Sequence, residues 1–104
     1  MKNLKFTLYI GLNDKDTKIQ KIDIVEAYKI TSNILMNFTD GATIFQANGI
    51  YKHVNGDYTT EQTLRIELLF IDRLAVLKII DLLKITFNQE SIALQTENIN
   101  SELI

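Results

Sequence analysis

The sequence predicts an α+β domain, a two-layer ferredoxin-like plait with the element order βαββαβ, spanning residues 1–104 as a single domain. Three observations predict it. An alternating apolar segment opens the chain, two stretches with helical periodicity follow capping aspartates, and an Asn-Gly pair separates two runs rich in β-forming residues. Such a plait has a four-stranded antiparallel sheet with two helices on one face. We therefore expect one covered and one uncovered sheet face.

The first strand and the first helix are indicated by a change of period. The apolar residues of the first strand alternate strictly, which is typical of a half-buried strand: Leu4, Phe6, Leu8, Ile10 and Leu12. Asp23 and Glu26 then form a capping-box pattern, and apolar residues recur at helical spacing as far as Phe38. Gly41 is expected to end this helix in a left-handed conformation.

A hairpin is predicted around Asn55-Gly56, because this dipeptide is a strong signal for a two-residue turn. Such a turn pairs Val54 with Asp57. Counting outward gives three further pairs: Phe45 with Ile66, Ala47 with Leu64, and Thr43 with Leu68. The apolar positions of both strands then share one face, so the turn and the hydrophobic pattern agree on one register.

The second helix is predicted to run from Arg73 to about Phe87, after the cap Asp72. More than half of it is apolar, whereas a helix that covers one sheet face needs an apolar stripe of only about 100°. Residues 91–96 are predicted as the last strand. Apolar residues persist in the tail and can dock against the domain: Ile99, Leu103 and Ile104.

The uncovered sheet face is the candidate interface. In the predicted register it carries a mixed set of residues: Tyr9, Ile44, Gln46, Asn48, Ile50, Arg65 and Glu67. One interpretation is contact with a second copy of the chain or with a partner protein. The other is an ordinary exposed sheet whose residues reflect strand propensity.

Residue types that carry catalysis are sparse in this chain. There is no cysteine, and His53 is the single histidine. A histidine base needs an orienting carboxylate and a nucleophile, and the sequence indicates neither. Residues 13–16 resemble the start of a calcium loop but lack its glycine and terminal glutamate, so they are interpreted as a solvated turn. We expect no catalytic residue, no metal and no cofactor.

Charge and hydropathy narrow the possible partners. A formal net charge of −2 argues against a nucleic-acid partner, since such proteins usually present a basic face. No apolar stretch approaches the roughly 20 residues of a membrane-spanning helix. We expect a cytoplasmic protein without a membrane partner, in a bacterium or in a phage-infected host cell.

Three tracts carry a resemblance to known proteins: Asp40-Gly41-Ala42-Thr43, Gly49-Ile50-Tyr51, and Phe87-Asn88-Gln89-Glu90-Ser91-Ile92. They resemble the marks of a bacterial family catalogued as a domain of unknown function, which are a Gly-x-Thr run, a Gly-x-aromatic step, a mid-chain Glu, and Phe-x-Gln-Glu-Ser before the last strand. Tyr51 stands where that family tends to have Trp. The whole chain also resembles small proteins encoded by phages and mobile elements of Clostridia-like bacteria. The resemblance implies the plait and a phage origin, and it brings no active site.

Two functional hypotheses follow, and an enzyme ranks third behind them. The first is a non-enzymatic interaction protein, encoded by a phage or mobile element, that forms a homodimer and inhibits a bacterial defence system. The alternative is a domain that binds or sequesters a small molecule or nucleotide signal. Four residues could stack on or hydrogen-bond such a ligand: Tyr9, Tyr51, Arg65 and Gln89. The expected partners are a second copy of the chain, a host protein or a small-molecule signal.

Overall fold

The computed structural model describes residues 2–52 and 54–104 and confirms the predicted element order. The elements are β1 (Lys2–Gly11), α1 (Ile24–Leu35), β2 (Thr43–Lys52), β3 (Tyr58–Leu68), α2 (Arg73–Thr86) and β4 (Ala93–Asn100). All four strands join one antiparallel sheet in the order β2-β3-β1-β4. This is the strand order of the ferredoxin-like plait, so the predicted fold class is confirmed.

The core lies between the two central strands and the helices. Alternate side chains of β1 and β3 are fully buried in one cluster with residues of both helices: Phe6, Leu8, Ile10, Leu64, Ile66, Leu68, Ala27, Leu35, Val76, Ile79 and Leu83. Because strand side chains alternate between faces, the intervening positions point away from the helices. The plait therefore has one helix-covered face and one open face.

Both helices begin at the predicted caps. The Asp23 carboxylate accepts a hydrogen bond from the Glu26 amide at 2.9 Å, and Asp72 accepts one from the Ala75 amide at 2.9 Å. Each such cap contributes about 1 kcal/mol to stability.

Helix α1 ends at Leu35, earlier than predicted. Short turn bonds, from the Asn37 amide to the Ile34 carbonyl and from the Phe38 amide to the Leu35 carbonyl, satisfy the terminal acceptors. A left-handed glycine is therefore not required there, and Gly41 does not adopt a positive φ.

The predicted hairpin register is wrong by one residue. Strand β2 ends at Lys52, which pairs with Tyr58, so five residues connect the strands instead of two. Within the connection, the Asn55 side-chain oxygen accepts a hydrogen bond from the Asp57 amide at 3.0 Å. This bond forms an Asx turn in place of the tight two-residue turn. Phe45 consequently pairs with Arg65, and Ile44 pairs with Ile66.

A slip of one residue moves every side chain of a strand to the other face, and this changes the composition of the open face. Four predicted interface residues lie instead on the face that carries the core: Ile44, Gln46, Asn48 and Ile50. The other three, Tyr9, Arg65 and Glu67, do share the open face. Phe45, predicted to be buried, lies beside them and is 42% exposed.

The tail does not dock as predicted. Ile99 belongs to strand β4, whereas Leu103 and Ile104 are exposed. The outer surface of α2 is thus left uncovered, with Leu74 72% and Ile85 78% exposed.

We expect the chain to self-associate through the outer surface of α2, because soluble monomers seldom expose large apolar patches. Light scattering at micromolar concentration should give about twice the chain mass of 12.0 kDa. Leu74→Glu combined with Ile85→Glu should return the mass to that of the monomer, while Ile50→Lys on edge strand β2 should not. A wild-type mass of one chain, unchanged on adding protein, would contradict the expectation.

Candidate functional site

The middle of the open face is occupied by Arg65. Its guanidinium carbon lies 5.2 Å from the centre of the Phe45 ring and 5.9 Å from that of Tyr9, the residues that pair with it on either side. Arg65 Nη2 also donates to Glu67 Oε2 at 2.7 Å, and Lys5 Nζ lies 3.0 Å from the same oxygen. The ion pairs with Glu67 lie within the face, whereas the buried Arg65 Nε has no hydrogen-bond partner among the described residues. The arginine therefore serves here mainly as a packing and ion-pairing residue.

A carboxylate lies further along the same face, over two glycines. Glu61 of β3 pairs with Gly49 of β2, and a Cβ added at Gly11 of β1 would overlap its carboxylate. A Cβ at Gly49 would come within 3.0 Å of the Tyr51 ring. Glycine inside a strand often marks a close approach by another group. Here the two glycines leave a shallow slot in which the carboxylate and the aromatic ring lie close to the sheet.

The loop after β1 closes one side of this slot. Asn13 donates its backbone amide to Glu61 Oε2 at 2.8 Å, which fixes the carboxylate against the loop. Asp14, only 6% exposed, accepts hydrogen bonds at Oδ1 from the amides of Asp16 and Thr17 at 2.9 and 3.0 Å. The segment predicted as a solvated turn is therefore an ordered loop around a buried aspartate.

The connection between α2 and β4 forms hydrogen bonds with this loop through Asn88 and Gln89. Asn88 Nδ2 donates to Asp14 Oδ2 at 3.0 Å and to Asp16 Oδ2 at 2.9 Å, and the Asn88 carbonyl accepts from the Lys15 amide at 3.1 Å. Gln89 Nε2 donates to the Asn13 carbonyl at 2.7 Å. We call this set of bonds from Asn88 and Gln89 the loop clamp. It joins the α2–β4 connection to the loop after β1.

Together these elements form a cleft of about 260 Å³. Its lining combines an aromatic ring, a fixed carboxylate and two lysines in one place: Asn13, Asp14, Lys15, Lys18, Tyr51, Thr59 and Glu61. A larger cavity of about 760 Å³ lies at the opposite end of the sheet, where Gly41 and Thr43 face Phe70 and Asp72. The smaller cleft is the candidate site, since it concentrates the groups that recognise a charged aromatic ligand.

The predicted ligand-binding residues divide between two places. Tyr51 lines the cleft, and Gln89 supports its loop through the clamp. Tyr9 and Arg65 lie on the open face but outside the cleft lining, engaged with each other. His53 lies outside the described residues.

The sequence interpretation missed Glu61, the lysines and the loop clamp. A sequence signal for Glu61 was present, because Gly11 and Gly49 lie inside two strands and neither has a positive φ that would require glycine. A glycine at such a position indicates the close approach of another group.

Among residues 2–52 and 54–104, no group of three or more His, Asp or Glu side chains could hold a metal ion. No helix in the described ranges is both long and apolar enough to cross a membrane.

The pKa of Asp14 is held well below its ordinary value. The amide of Thr17 contributes most, followed by the side chain of Asn88, with smaller contributions from the Asp16 amide and Lys21, while burial opposes them. A carboxyl group whose pKa is depressed on folding stabilises the native state above its unfolded pKa of about 4. That stabilisation is lost as the pH falls below this value.

Asp14→Asn should therefore unfold at a lower denaturant concentration than the wild type at pH 7, because the negative charge is lost and the new amide nitrogen cannot accept the bond that Asn88 donates, although the amide oxygen can still accept from the loop amides. The difference should shrink as the pH is lowered from about 5 towards 3, because the carboxyl group of the unfolded wild-type chain becomes protonated there and folding must then release that proton. Urea titrations at several pH values measure it. A difference that stays constant with pH would show that the ionised carboxylate is not what stabilises the loop.

Family comparison places this geometry in a wider context. The chain matches the family described as protein of unknown function (DUF3574) over residues 5–102. It belongs to that family. This agrees with the resemblance to a domain of unknown function. Of the three tracts that carry this resemblance, the one with Tyr51 lines the cleft, the one with Gln89 bonds to the Asn13 carbonyl of its lining, and residues 40–43 line the opposite cavity. None of the curated proteins matches the chain.

Two solved structures share the fold almost end to end. One is a phage SAM lyase in complex with S-methyl-5′-thioadenosine, with a TM-score of 0.66, 19% identity, and coverage of 98% of this chain and 92% of that chain. The other is a phage SAM lyase in the apo state, with a TM-score of 0.63, 18% identity, and coverage of 99% and 93%. At this level of identity the similarity establishes the fold.

The hypothesis of a non-enzymatic interaction protein is contradicted by this comparison. It rested on the small size of the chain, the absence of recognisable catalytic residues, the apolar surface of the second helix and the family resemblance, yet both of these solved structures with the same small plait are of an enzyme. A plait of this size therefore accommodates a catalytic site.

Proposed function

We propose that this chain is a lyase that cleaves S-adenosylmethionine (SAM) to S-methyl-5′-thioadenosine. The observation that carries the proposal is the cleft in which Tyr51 and the fixed Glu61 carboxylate lie together. The fold that the chain shares with the phage SAM lyase supports it.

The cleft fits the chemical groups of this substrate. SAM combines an adenine ring with a positively charged sulfonium and a cationic ammonium group. Tyr51 is half-exposed and offers a ring face for stacking, and base–aromatic stacking contributes about 1–3 kcal/mol. Glu61 supplies negative charge beside it, which attracts the cationic substrate more than the neutral thioether product. The same groups would thus favour substrate binding and product release.

The reaction breaks one carbon–sulfur bond. S-methyl-5′-thioadenosine retains the methyl and adenosyl groups of SAM, so the bond that breaks joins sulfur to Cγ of the aminobutyryl group. In the step that we propose, a carboxylate oxygen of the substrate forms a bond to Cγ, and the electron pair of the broken bond goes to sulfur. The products are neutral S-methyl-5′-thioadenosine and homoserine lactone.

This displacement requires orientation more than acid–base chemistry. No proton leaves carbon, so the step does not depend on a histidine or cysteine, and holding the reacting atoms close can supply much of the rate. An alternative elimination, with Glu61 taking a proton from Cβ, would yield vinylglycine instead. The identity of the second product separates the two routes.

The direct test is incubation of the purified chain with SAM and separation of the products by liquid chromatography and mass spectrometry. We expect S-methyl-5′-thioadenosine and homoserine lactone in equal amounts, above the slow decomposition of SAM in buffer. If the thioadenosine appears no faster than in buffer, the proposed function is wrong. If vinylglycine accompanies it, the lyase activity stands and the displacement step is wrong.

An anti-defence role would follow from this activity, and the fold shared with a phage SAM lyase supports a phage or mobile-element origin. Host defence enzymes that depend on SAM lose their cofactor when SAM is degraded, so a small enzyme could act on them without contacting them. The same incubation tests this role, because a chain that leaves SAM intact cannot act by depletion.

A further inference from the structure

The loop after β1 contributes two lysines to the lining of the cleft, which Tyr51 also lines. Lys15 and Lys18 both line the cleft, and Lys18 Nζ donates to the Lys15 carbonyl at 2.6 Å, so its ammonium group folds back over the loop. Lysine ammonium groups form charge-assisted hydrogen bonds with carboxylates. Adenine and ribose carry no such anion, whereas the aminobutyryl end of SAM does.

The conformation of this loop depends on distant as well as local bonds. Lys18 has a φ of +62°, a left-handed conformation that a long side chain adopts at a cost. The amides of Asp16 and Thr17 bond locally to Asp14. Further bonds come from residues more than 70 positions later in the chain, through Asn88 to Asp14 and Asp16 and through Gln89 to the Asn13 carbonyl. The loop clamp therefore holds the loop, and with it the lysines, against the α2–β4 connection.

Asn88 suits this task for two reasons. Its φ of +47° is left-handed, which asparagine tolerates better than most residues. Its single side-chain nitrogen reaches two carboxylates at once, at 3.0 and 2.9 Å. The half-buried amide thus occupies one oxygen of Asp14 and one of Asp16 with hydrogen bonds, and the two lysines of the loop supply positive charge to the same cleft.

We propose that the loop clamp is a positioning device that aims Lys15 and Lys18 at the substrate carboxylate, so that this loop recognises the amino-acid end of SAM. The inference rests on the proposed function and assigns the two ends of the cleft: Tyr51 and Glu61 hold the adenosyl-sulfonium part, and the clamped loop holds the aminobutyryl part. Asn88 acts through the loop and does not touch the ligand.

Two unreactive probes separate recognition of the two ends. S-adenosylhomocysteine carries the aminobutyryl carboxylate, and S-methyl-5′-thioadenosine lacks it. Asn88→Gly removes the amide but tolerates the left-handed backbone without strain. It should weaken binding of S-adenosylhomocysteine about 10-fold, which corresponds to about 1.4 kcal/mol, and leave the affinity for S-methyl-5′-thioadenosine within about two-fold. Isothermal titration calorimetry measures both.

A second variant leaves the clamp intact. Lys18→Gln keeps a polar, slightly shorter side chain and removes its charge, and it should show the same selective loss. Asn33→Ala, an exposed asparagine on α1, is the matched control and should bind both probes as the wild type does. Thermal melting of each variant verifies that it is folded before titration.

The outcomes are distinct. Selective weakening of S-adenosylhomocysteine in Asn88→Gly and Lys18→Gln supports the inference. Equal weakening of both probes, or of neither, overturns it while leaving the proposed lyase site in place. If the wild type binds neither probe, the proposed function fails and the inference fails with it.

Discussion

Glu61→Gln is expected to lower the rate of S-methyl-5′-thioadenosine formation at subsaturating SAM by about 10-fold or more, and to change the rate at saturation much less. The substitution keeps an oxygen that can accept the Asn13 amide bond, so the loop contact is retained and only the charge is removed. Because the positive charge of the sulfonium disappears as the carbon–sulfur bond breaks, loss of the carboxylate weakens substrate binding more than it raises the barrier of the bound complex. Initial rates with saturating and subsaturating SAM, followed by liquid chromatography, measure the effect.

Glu102→Gln is the matched control, because Glu102 is exposed in the tail beyond β4. Its rate should equal that of the wild type. A Glu61→Gln rate at subsaturating SAM within about three-fold of the wild-type rate would show that this carboxylate does not belong to the site, even if the chain degrades SAM.

Ile66→Ala is expected to cost about 2–5 kcal/mol of unfolding free energy, because Ile66 is fully buried at the centre of the core. Phe45→Ala should cost much less than the roughly 3–5 kcal/mol typical of a buried phenylalanine, since its ring lies on the open face against Arg65. Urea unfolding at equilibrium measures both free energies.

The comparison between these two variants tests the hairpin register. The register from the two-residue turn would bury Phe45 beside Ile66 and give both substitutions large effects. A loss on Phe45→Ala equal to that on Ile66→Ala would contradict the observed pairing of Phe45 with Arg65.

The fold could be predicted because its signals are local and agree with each other. The alternation in β1 and the aspartate caps of both helices reflect short-range geometry, and each is found where the sequence places it. The hairpin register depends instead on a choice between two turns. Asn55-Gly56 is compatible with a tight turn, but the Asn55 side chain bonds the Asp57 amide, and a connection of odd length moves β2 by one residue.

The candidate site was harder to predict because it depends on contacts between distant residues. Nothing near Asp14 in the sequence shows that Asn88 will donate to it, and nothing near Glu61 shows that Gly11 lies beneath its carboxylate. Histidine and cysteine are the usual sequence signals of a catalytic site, whereas the proposed displacement by the substrate's own carboxylate requires neither. Tyr51 was among the predicted ligand-binding residues because an aromatic side chain offers a ring face for stacking, and the structure places it in the lining of the cleft.

The most direct test of the account is the location of bound S-methyl-5′-thioadenosine on the isotope-labelled chain by NMR titration. We predict that the amide signals that shift most belong to the cleft, at Asn13, Tyr51, Thr59 and Glu61. Signals around the opposite cavity, such as Gly41 and Phe70, should remain unchanged. Shifts confined to the opposite cavity, or no shifts at millimolar ligand, would contradict the assignment of the cleft as a SAM site.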